Sequence, residues 1–507
     1  MGKKYNTDLC SDEMTFEDCE MAILRHAVDE TDILQKQKIA NSDDVRRMIQ
    51  ILESFLIKKK LICYGGTAIN NILPKYAQFY DRDIEVPDYD FFSMNALEDA
   101  KELTDIFYSA GYLETEAKSG VHKGTYKVFV NYIPMADITQ LHPDIYRSIQ
   151  RDAISVAGIK YAPPNYLRMS MFLELSRPAG DVSRWEKVLK RLTLLNRYHP
   201  LKPPFNCQTV DFQRETETIS KKSSETIYYA VRDSFIEQGV IFFGGYAASL
   251  YSRYMDKNRQ NLVKKIPDFD VLSEDPDRCA LIVRERLEEL GYNKIKTVKH
   301  EGVDDVVPMH IQILIGRETL GFIFKPIACY SYNIITIGNQ QINIATIDTM
   351  LSFYLAFIYA DRPYFEVDRI LCIAQFLFDV EQKNRLNQRG LLKRFTVECY
   401  GKQPTLESVR AEKAEKFREL MHKRNTPEWN AWFFKYAPAP KAPKPEPVSP
   451  INPDTEDAVV SEREDSFIDP RKYNKKANKP RGKKGTRKFF NYVKKRKGRK
   501  TNRLFFF

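Results

Sequence analysis

The chain has 507 residues, too many for a single hydrophobic core, and an apolar share of 43% suits a globular protein of two or three domains. No uninterrupted run of about 18 apolar residues occurs, which excludes a continuous hydrophobic membrane span, and the first residues lack the apolar stretch of a secretory signal. The net charge of +11 is concentrated at one end: 17 Lys/Arg and no Asp/Glu lie between Arg471 and Arg503, which leaves a mildly acidic body.

From Thr15, the positions Phe16, Cys19, Ile23, Leu24 and Ala27 follow helical spacing, so residues 1–40 read as an N-terminal helical segment. Ser42 suits the N-cap of a second helix with Val45, Met48, Leu52, Phe55 and Leu56 on one face. A short strand, Leu61–Tyr64, meets Gly65-Gly66, and Thr67–Leu73 reads as a helix stopped by Pro74. Ile84–Phe92 reads as a strand. In a strand Asp88 and Asp90 point to one face and Tyr89 to the other. Two carboxylates held side by side call for a positive partner, and hard divalent cations take oxygen ligands. Glycines admit close backbone approach, and amides at a helix start favour phosphate. Together these features suggest a metal-dependent nucleotide site.

A helix ending at Gly111 follows, then the β-runs Tyr126–Ile133 and Met135–Leu141, and two helices, Asn165–Leu175 and Trp185–Leu195. Asp137, inside the second β-run, is the natural third carboxylate, because an unpaired charge in a strand is costly.

A glycine pair or an Asp-x-Asp alone is common; here both recur. Phe242 opens FFGGYAAS and Ile266 opens IPDFD, with Gly65 to Asp88 spanning 23 residues and Gly244 to Asp268 spanning 24. Later landmarks keep a similar offset, so the chain contains an internal duplication. Helices are expected at Ile227–Ile236, Pro276–Leu290, Ile347–Tyr359 and Val367–Phe378. Strands are expected at Val240–Phe243, His310–Ile315, Leu320–Lys325 and Ser331–Ile337. In the copy, Tyr246 replaces Thr67, and Gly321–Pro326 offers no carboxylate where Asp137 stands; Glu318 is nearest, on a preceding turn. Without a bound cation, Asp268 and Asp270 would share a proton or recruit a basic partner, and Lys264 and Lys265 are close in sequence.

Cys10, Cys19, Cys63, Cys207, Cys279, Cys329, Cys372 and Cys399 form no CxxC, which argues against a zinc site and for free thiols in a reducing compartment. Residues 386–435 read as a charged helical segment. Seven prolines between Ala437 and Pro453 mark residues 436–468 as an extended linker. In the basic tail, 469–507, Lys483, Lys484, Arg487, Lys488, Lys494, Lys495 and Arg496 interleave with Phe489, Phe490 and Tyr492. That pattern suits RNA phosphate contact with base stacking.

CYGGTAIN, PDYDFF and MADITQL, with the duplicated copy, resemble the polymerase-beta-type nucleotidyltransferases. Within these the chain looks like the poly(A) polymerase catalytic subunits of large nucleocytoplasmic DNA viruses. The resemblance implies a mixed α/β (α+β) fold in tandem: a catalytic domain with its following helices over 41–200 and a degenerate copy over 201–385. It implies transfer of AMP from ATP to the 3′ end of viral mRNA. Gly65, Gly66 and Thr67 would bind triphosphate, and Asp88, Asp90 and Asp137 would hold two Mg²⁺ or Mn²⁺ ions. Asp137 would touch only the primer-side ion. Asn165 and Tyr166 are the candidates for nucleotide contact at the start of the following helix. The expected partners are ATP and an RNA 3′ end, with a homodimer or a viral processivity partner, and no membrane. The expected place is the host cytoplasm, in viral factories, and the virion. CCA addition, uridylylation, oligoadenylate synthesis and a non-catalytic RNA-binding scaffold are the alternatives.

Overall fold

The computed structural model of the chain describes residues 4–207, 221–255, 257–260 and 268–438. Thr15 caps α1 (Phe16–Ala40), its hydroxyl accepting from the Asp18 amide. In α2 (Asp43–Lys59), Val45, Met48, Leu52, Phe55 and Leu56 recur at helical spacing and are buried. β1 (Ile62–Tyr64) runs directly into α3 (Gly65–Ile72). Then come β2 (Tyr89–Ser93), α4 (Ala96–Ser109), β3 (Thr115–Ser119), β4 (Thr125–Val130), β5 (Ile133–Gln140) and α5 (Pro143–Arg151). β6 (Ile154–Val156), β7 (Ile159–Tyr161), α6 (Pro164–Leu175) and α7 (Trp185–Tyr198) complete the first half.

The second half holds α8 (Lys221–Glu237), β8 (Ile241–Phe242), α9 (Gly245–Tyr251), the one-turn α10 (Lys257–Gln260), β9 (Phe269–Leu272) and α11 (Pro276–Glu289). β10 (Ile295–His300), β11 (His310–Ile315), β12 (Glu318–Phe324), β13 (Tyr330–Ile337) and β14 (Gln340–Ala345) precede α12 (Ile347–Phe357) and α13 (Val367–Lys383). β15 (Cys399–Tyr400), α14 (Leu406–Leu420), α15 (Pro427–Phe433) and β16 (Lys435–Tyr436) follow.

The strands form two mixed sheets, ordered β16-β3-β4-β5-β2-β1-β7-β6 and β10-β11-β12-β9-β8-β14-β13-β15. Without the late strands β15 and β16, the two are the same sheet. β1 pairs antiparallel with β2 and parallel with β7, and β2 pairs parallel with β5. β8 repeats this with β9 and β14, and β9 with β12. The duplication read from the glycine and aspartate spacing is thus a duplication of topology. β16 adds to the outer edge of the first sheet, with Tyr436 opposite Ala117, although it comes last in the described chain. Ser119 donates to the Trp432 carbonyl at 2.7 Å, which fixes that return.

Several expectations are corrected. The strand expected over Ile84–Phe92 begins only at Tyr89: the Ile84 and Glu85 amides turn back onto the Asp81 carbonyl, and Pro87 has no N–H to give a ladder. The run Tyr126–Ile133 is not one strand but the end of β4, a turn and the start of β5. Asn131 and Tyr132 take φ of 49° and 66°, the twist of a two-residue hairpin turn. Glu318 lies inside β12, not on a preceding turn.

The cysteines are not all free thiols. Cys10–Cys19, Cys207–Cys372 and Cys329–Cys399 are disulfides with Cα separations of 5.2, 5.4 and 5.2 Å. Two of these pairs span 165 and 70 residues, which local spacing cannot reveal. Only Cys63 and Cys279 remain free. Both are buried, which pushes their thiols upward. The linker and basic tail, with Lys483 to Arg496, lie outside the described residues, as do Lys264 and Lys265.

Candidate active site

The turn between β1 and α3 fixes the site. Gly65 has φ +72°, and a Cβ there would stand 2.6 Å from Asp90 Oδ2, so the acid lies against the backbone at the helix start. A Cβ on Gly66 would strike the Tyr80 hydroxyl and Arg191 Nη1. Any larger residue at either position would displace these groups. Thr67 is 3% exposed, and its hydroxyl donates to the Asp88 carbonyl at 2.5 Å. It therefore pins the aspartate segment to α3; in this arrangement the hydroxyl is not turned toward the cleft. Asn70 does related work, its Oδ1 accepting from the Phe79 and Tyr80 amides at 2.7 and 2.9 Å.

Asp88 lies one residue before β2, and Asp90 is in it. Asp137 on β5 stands in register with Asp90, and Lys127 on β4 stands opposite Asp137. Lys127, Asp137, Asp90 and Tyr64 thus form one row across four adjacent strands, on one sheet face. Lys127 Nζ is ion-paired to Asp137 Oδ2.

The carboxylates feel one another. Burial, then Asp137, raises the Asp88 carboxyl against the pull of Lys127, Lys187 and Arg191. Burial, then Asp88 and Asp137, pushes Asp90 up to about 7, with Lys127 and Arg184 opposing. Arg184, Lys187 and Arg191 are spaced along the start of α7 so as to share a helix face. Arg191 donates to the Tyr80 hydroxyl at 2.5 Å and lies 5.1 Å from the Phe79 ring centroid. None of these cations was picked out in the sequence. Their i, i+3, i+7 spacing was the available signal.

Asn165 and Tyr166 are held elsewhere. Asn165 Oδ1 accepts from the buried Arg168 guanidinium. Tyr166 is 4% exposed, with its ring between Phe92 (5.7 Å) and Tyr359 (5.3 Å), both edge-on. Tyr64 stacks on Phe92 at 3.9 Å, so aromatic rings run from the site strand to the second half.

In the second half, Phe322 holds the register position of Asp137, opposite Asp270. Arg369 on α13 has Nη1 3.5 Å from Asp268 Oδ2, and both side chains are 7% exposed. Phe357, Phe365, Ile370 and Ile373 close over the pair. Arg369 is a basic partner of Asp268 that nearness in sequence does not point to; Lys264 and Lys265 lie outside the described residues. Tyr246 is buried and packs on Phe242 and Phe269.

One pH dependence follows from Asp90. Its folded pKa, about 7, lies above the ordinary 3.8, so the folded state binds that proton more tightly than the unfolded state. Stability present below the ordinary value is lost as pH rises through 7. In EDTA, Asp90→Asn should therefore melt higher than the parent at pH 8, by the equivalent of about 2–4 kcal/mol, and by clearly less at pH 5. Equal gains at both pH values would show that Asp90 ionisation carries no strain.

A duplicated mixed sheet with an acidic row at one helix start defines the fold, and that fold is known. The crystal structure of the Megavirus polyadenylate synthase superposes with a TM-score of 0.69, covering 85% of this chain and 88% of that one at 19% identity. Residues 50–181 match the family model of the poly(A) polymerase catalytic subunit. A protein of African swine fever virus named as such a subunit is 31% identical over 175 residues, 33% of this chain and 36% of that one. One from Acanthamoeba polyphaga mimivirus is 27% identical over 239 residues, 43% of this chain and 39% of that one. The matches thus span little more than a third of these relatives' length. The resemblance read from CYGGTAIN, PDYDFF and MADITQL is borne out.

Proposed function

We propose that the chain is a template-independent polynucleotide adenylyltransferase that adds AMP from ATP to the 3′ end of viral mRNA. The observation that carries this is the meeting of Asp88, Asp90 and Asp137 beside the start of α3. In the reaction the RNA 3′ oxygen forms a bond to the α-phosphorus, the bond from that phosphorus to the β-phosphate bridging oxygen breaks, and pyrophosphate leaves.

The residues fit a divalent-cation site in their chemistry: three hard oxygen donors, with burial and then mutual repulsion raising Asp90. Among the described residues no three acidic, His or Cys side chains are gathered as a ready cage, and Asp137 is turned to Lys127. Asp88 and Asp90 would hold both Mg²⁺ or Mn²⁺ ions, and Asp137 the primer-side one. Bound there, they would lower the pKa of the primer hydroxyl and neutralise pyrophosphate. Gly65 and Gly66 would present backbone amides to the triphosphate, with Thr67 holding Asp88 in place. Arg184, Lys187 and Arg191 would steady its outer charges. Tyr166 would act through Phe92, by packing, and Asn165 by fixing Arg168.

The composition of the basic tail, Lys483, Lys484, Arg487, Lys488, Lys494, Lys495 and Arg496 included, supports RNA phosphate contact. The same reading places the protein in the host cytoplasm, in viral factories and the virion, with a homodimer or a viral processivity partner as further partners.

Full-length protein given a labelled RNA primer and each nucleotide in turn should extend it with ATP alone, and EDTA should stop the reaction. Limited addition from CTP with ATP, extension from UTP, or no incorporation would each overturn the assignment. The second half should be dispensable for chemistry, because Arg369 already neutralises Asp268 and no third acid stands in register. Asp268→Asn with Asp270→Asn should leave single-nucleotide addition within a few-fold of the parent, small beside the loss of a catalytic cation. Collapse of the rate in a folded double variant would give that site a catalytic role.

A further inference from the structure

Lys127 is unexplained by packing. It stands on β4 directly opposite Asp137, in the row that continues to Asp90. Its side chain is 36% exposed while that of Asp137 is 20% exposed, so the ammonium reaches inward from the rim of the site. An exposed cross-strand ion pair is ordinarily a weak contact, worth about 0.2–1 kcal/mol. This pair differs, because its acid belongs to a cluster of three. The same ammonium also draws down both Asp88 and Asp90, so its field covers the whole cluster.

We propose that Lys127 is the internal counter-ion of the carboxylate row, and that its ammonium competes with the divalent cation bound through Asp137. This rests on the reading of Asp137 as a ligand. A lysine and a divalent ion cannot share one carboxylate at close range without strong repulsion. The flexible four-carbon stem lets the ammonium leave toward solvent without disturbing β4, whose neighbours Tyr126 and Val128 are buried on the opposite face. Asp90 stands one strand further from Lys127 than Asp137 does, so a cation held by Asp88 and Asp90 alone would feel the ammonium less. The row therefore keeps two classes of cation site unequal. The class that needs Asp137 fills only when Lys127 yields.

Mn²⁺ binding to the full chain, titrated by electron paramagnetic resonance at pH 8 without nucleotide or RNA, tests this. Lys127→Met keeps the stem and removes the charge. It should tighten the weaker class of Mn²⁺ sites by about tenfold and leave the stronger class within about threefold. Lys127→Arg, which keeps the charge, should stay within about threefold of the parent for both classes. Asp137→Asn should abolish the weaker class whatever stands at 127. Lys127→Gln gives a second neutral side chain, so the result does not depend on one variant folding. Weaker or unchanged Mn²⁺ binding in both neutral variants, with Asp137→Asn still abolishing the weaker class, would overturn the proposal and leave the ligand assignment standing. Unchanged binding in Asp137→Asn would overturn both together.

Discussion

Asp88→Ala, and separately Asp90→Ala, should lower AMP transfer by about 10³-fold or more while leaving the fold intact. The two acids would reach the proposed cations from either side of Tyr89, Asp88 just before β2 and Asp90 within it, so neither can stand in for the other. What is lost is stabilisation of charge that develops on the α-phosphate and pyrophosphate oxygens, worth several kcal/mol in a dry site. Neither substitution opens a hole in the core. Asp90 lies against the Gly65 backbone at the rim, and removing its charge relieves repulsion from Asp88 and Asp137. A loss of rate should therefore come with unchanged or higher melting temperature. Single-turnover addition to a saturating primer measures it, and activity within about tenfold of the parent in both variants would remove these acids from the chemistry.

The largest effect on stability should come from Arg394→Ala. Arg394 Nε and Nη2 donate to the two Asp348 oxygens at 2.8 and 2.6 Å, and Nη1 lies 2.9 Å from Glu381 Oε1. The three side chains are 6%, 1% and 3% exposed, and they join α12, α13 and the segment before β15. Burial, and after it Asp348, pushes Glu381 upward, with Arg394 the main opposing charge and Arg385 a lesser one. Without the guanidinium two buried carboxylates lose the cation paired with both, at a cost of about 3–5 kcal/mol. Urea denaturation should show that loss. A triple replacement, Arg394→Met with Asp348→Leu and Glu381→Leu, should recover most of it, since apolar packing can replace a buried ion network. A loss under about 1 kcal/mol in Arg394→Ala would mean that water or another group reaches the site.

Much of this was readable in the sequence, for a physical reason. Glycine pairs, proline before an acidic pair, and helix stops such as Gly111 are local signals, and each marks a backbone need that survives in any context. The strands that escaped, β3, β6, β7, β10, β14, β15 and β16, are short or lie toward a sheet edge, and the last two fall where a charged helical segment and a linker are expected. β10, for example, alternates weakly because one side and its edge face solvent. The hairpin at Asn131–Tyr132 was hidden because tyrosine is a poor residue for positive φ, so YKVFVNYI looked continuous. Within the site, repeat and alternation point to Asp88 and Asp90, and the cost of a lone charge in a β-run points to Asp137. Lys127 and Arg369 were not found, since each is a single cation that no repeat or helical spacing marks. Arg369 comes from α13, and only the fold brings it to Asp268.

The return of β16 to β3 sets the order in which the chain can mature. Ser119 waits for Trp432, 313 residues later. At about 5–20 residues per second of synthesis, the gap is roughly 15–60 seconds. Once Tyr161 is made, all five inner strands of the first sheet are available, yet its outer rim at β3, with free amides and carbonyls, stays open until β16 arrives. The earliest-made half is thus sealed last, by the segment that leads into the proline-rich linker. A nascent chain released early would carry its acidic row in place and an unpaired strand edge beside it, sticky toward any other chain emerging nearby.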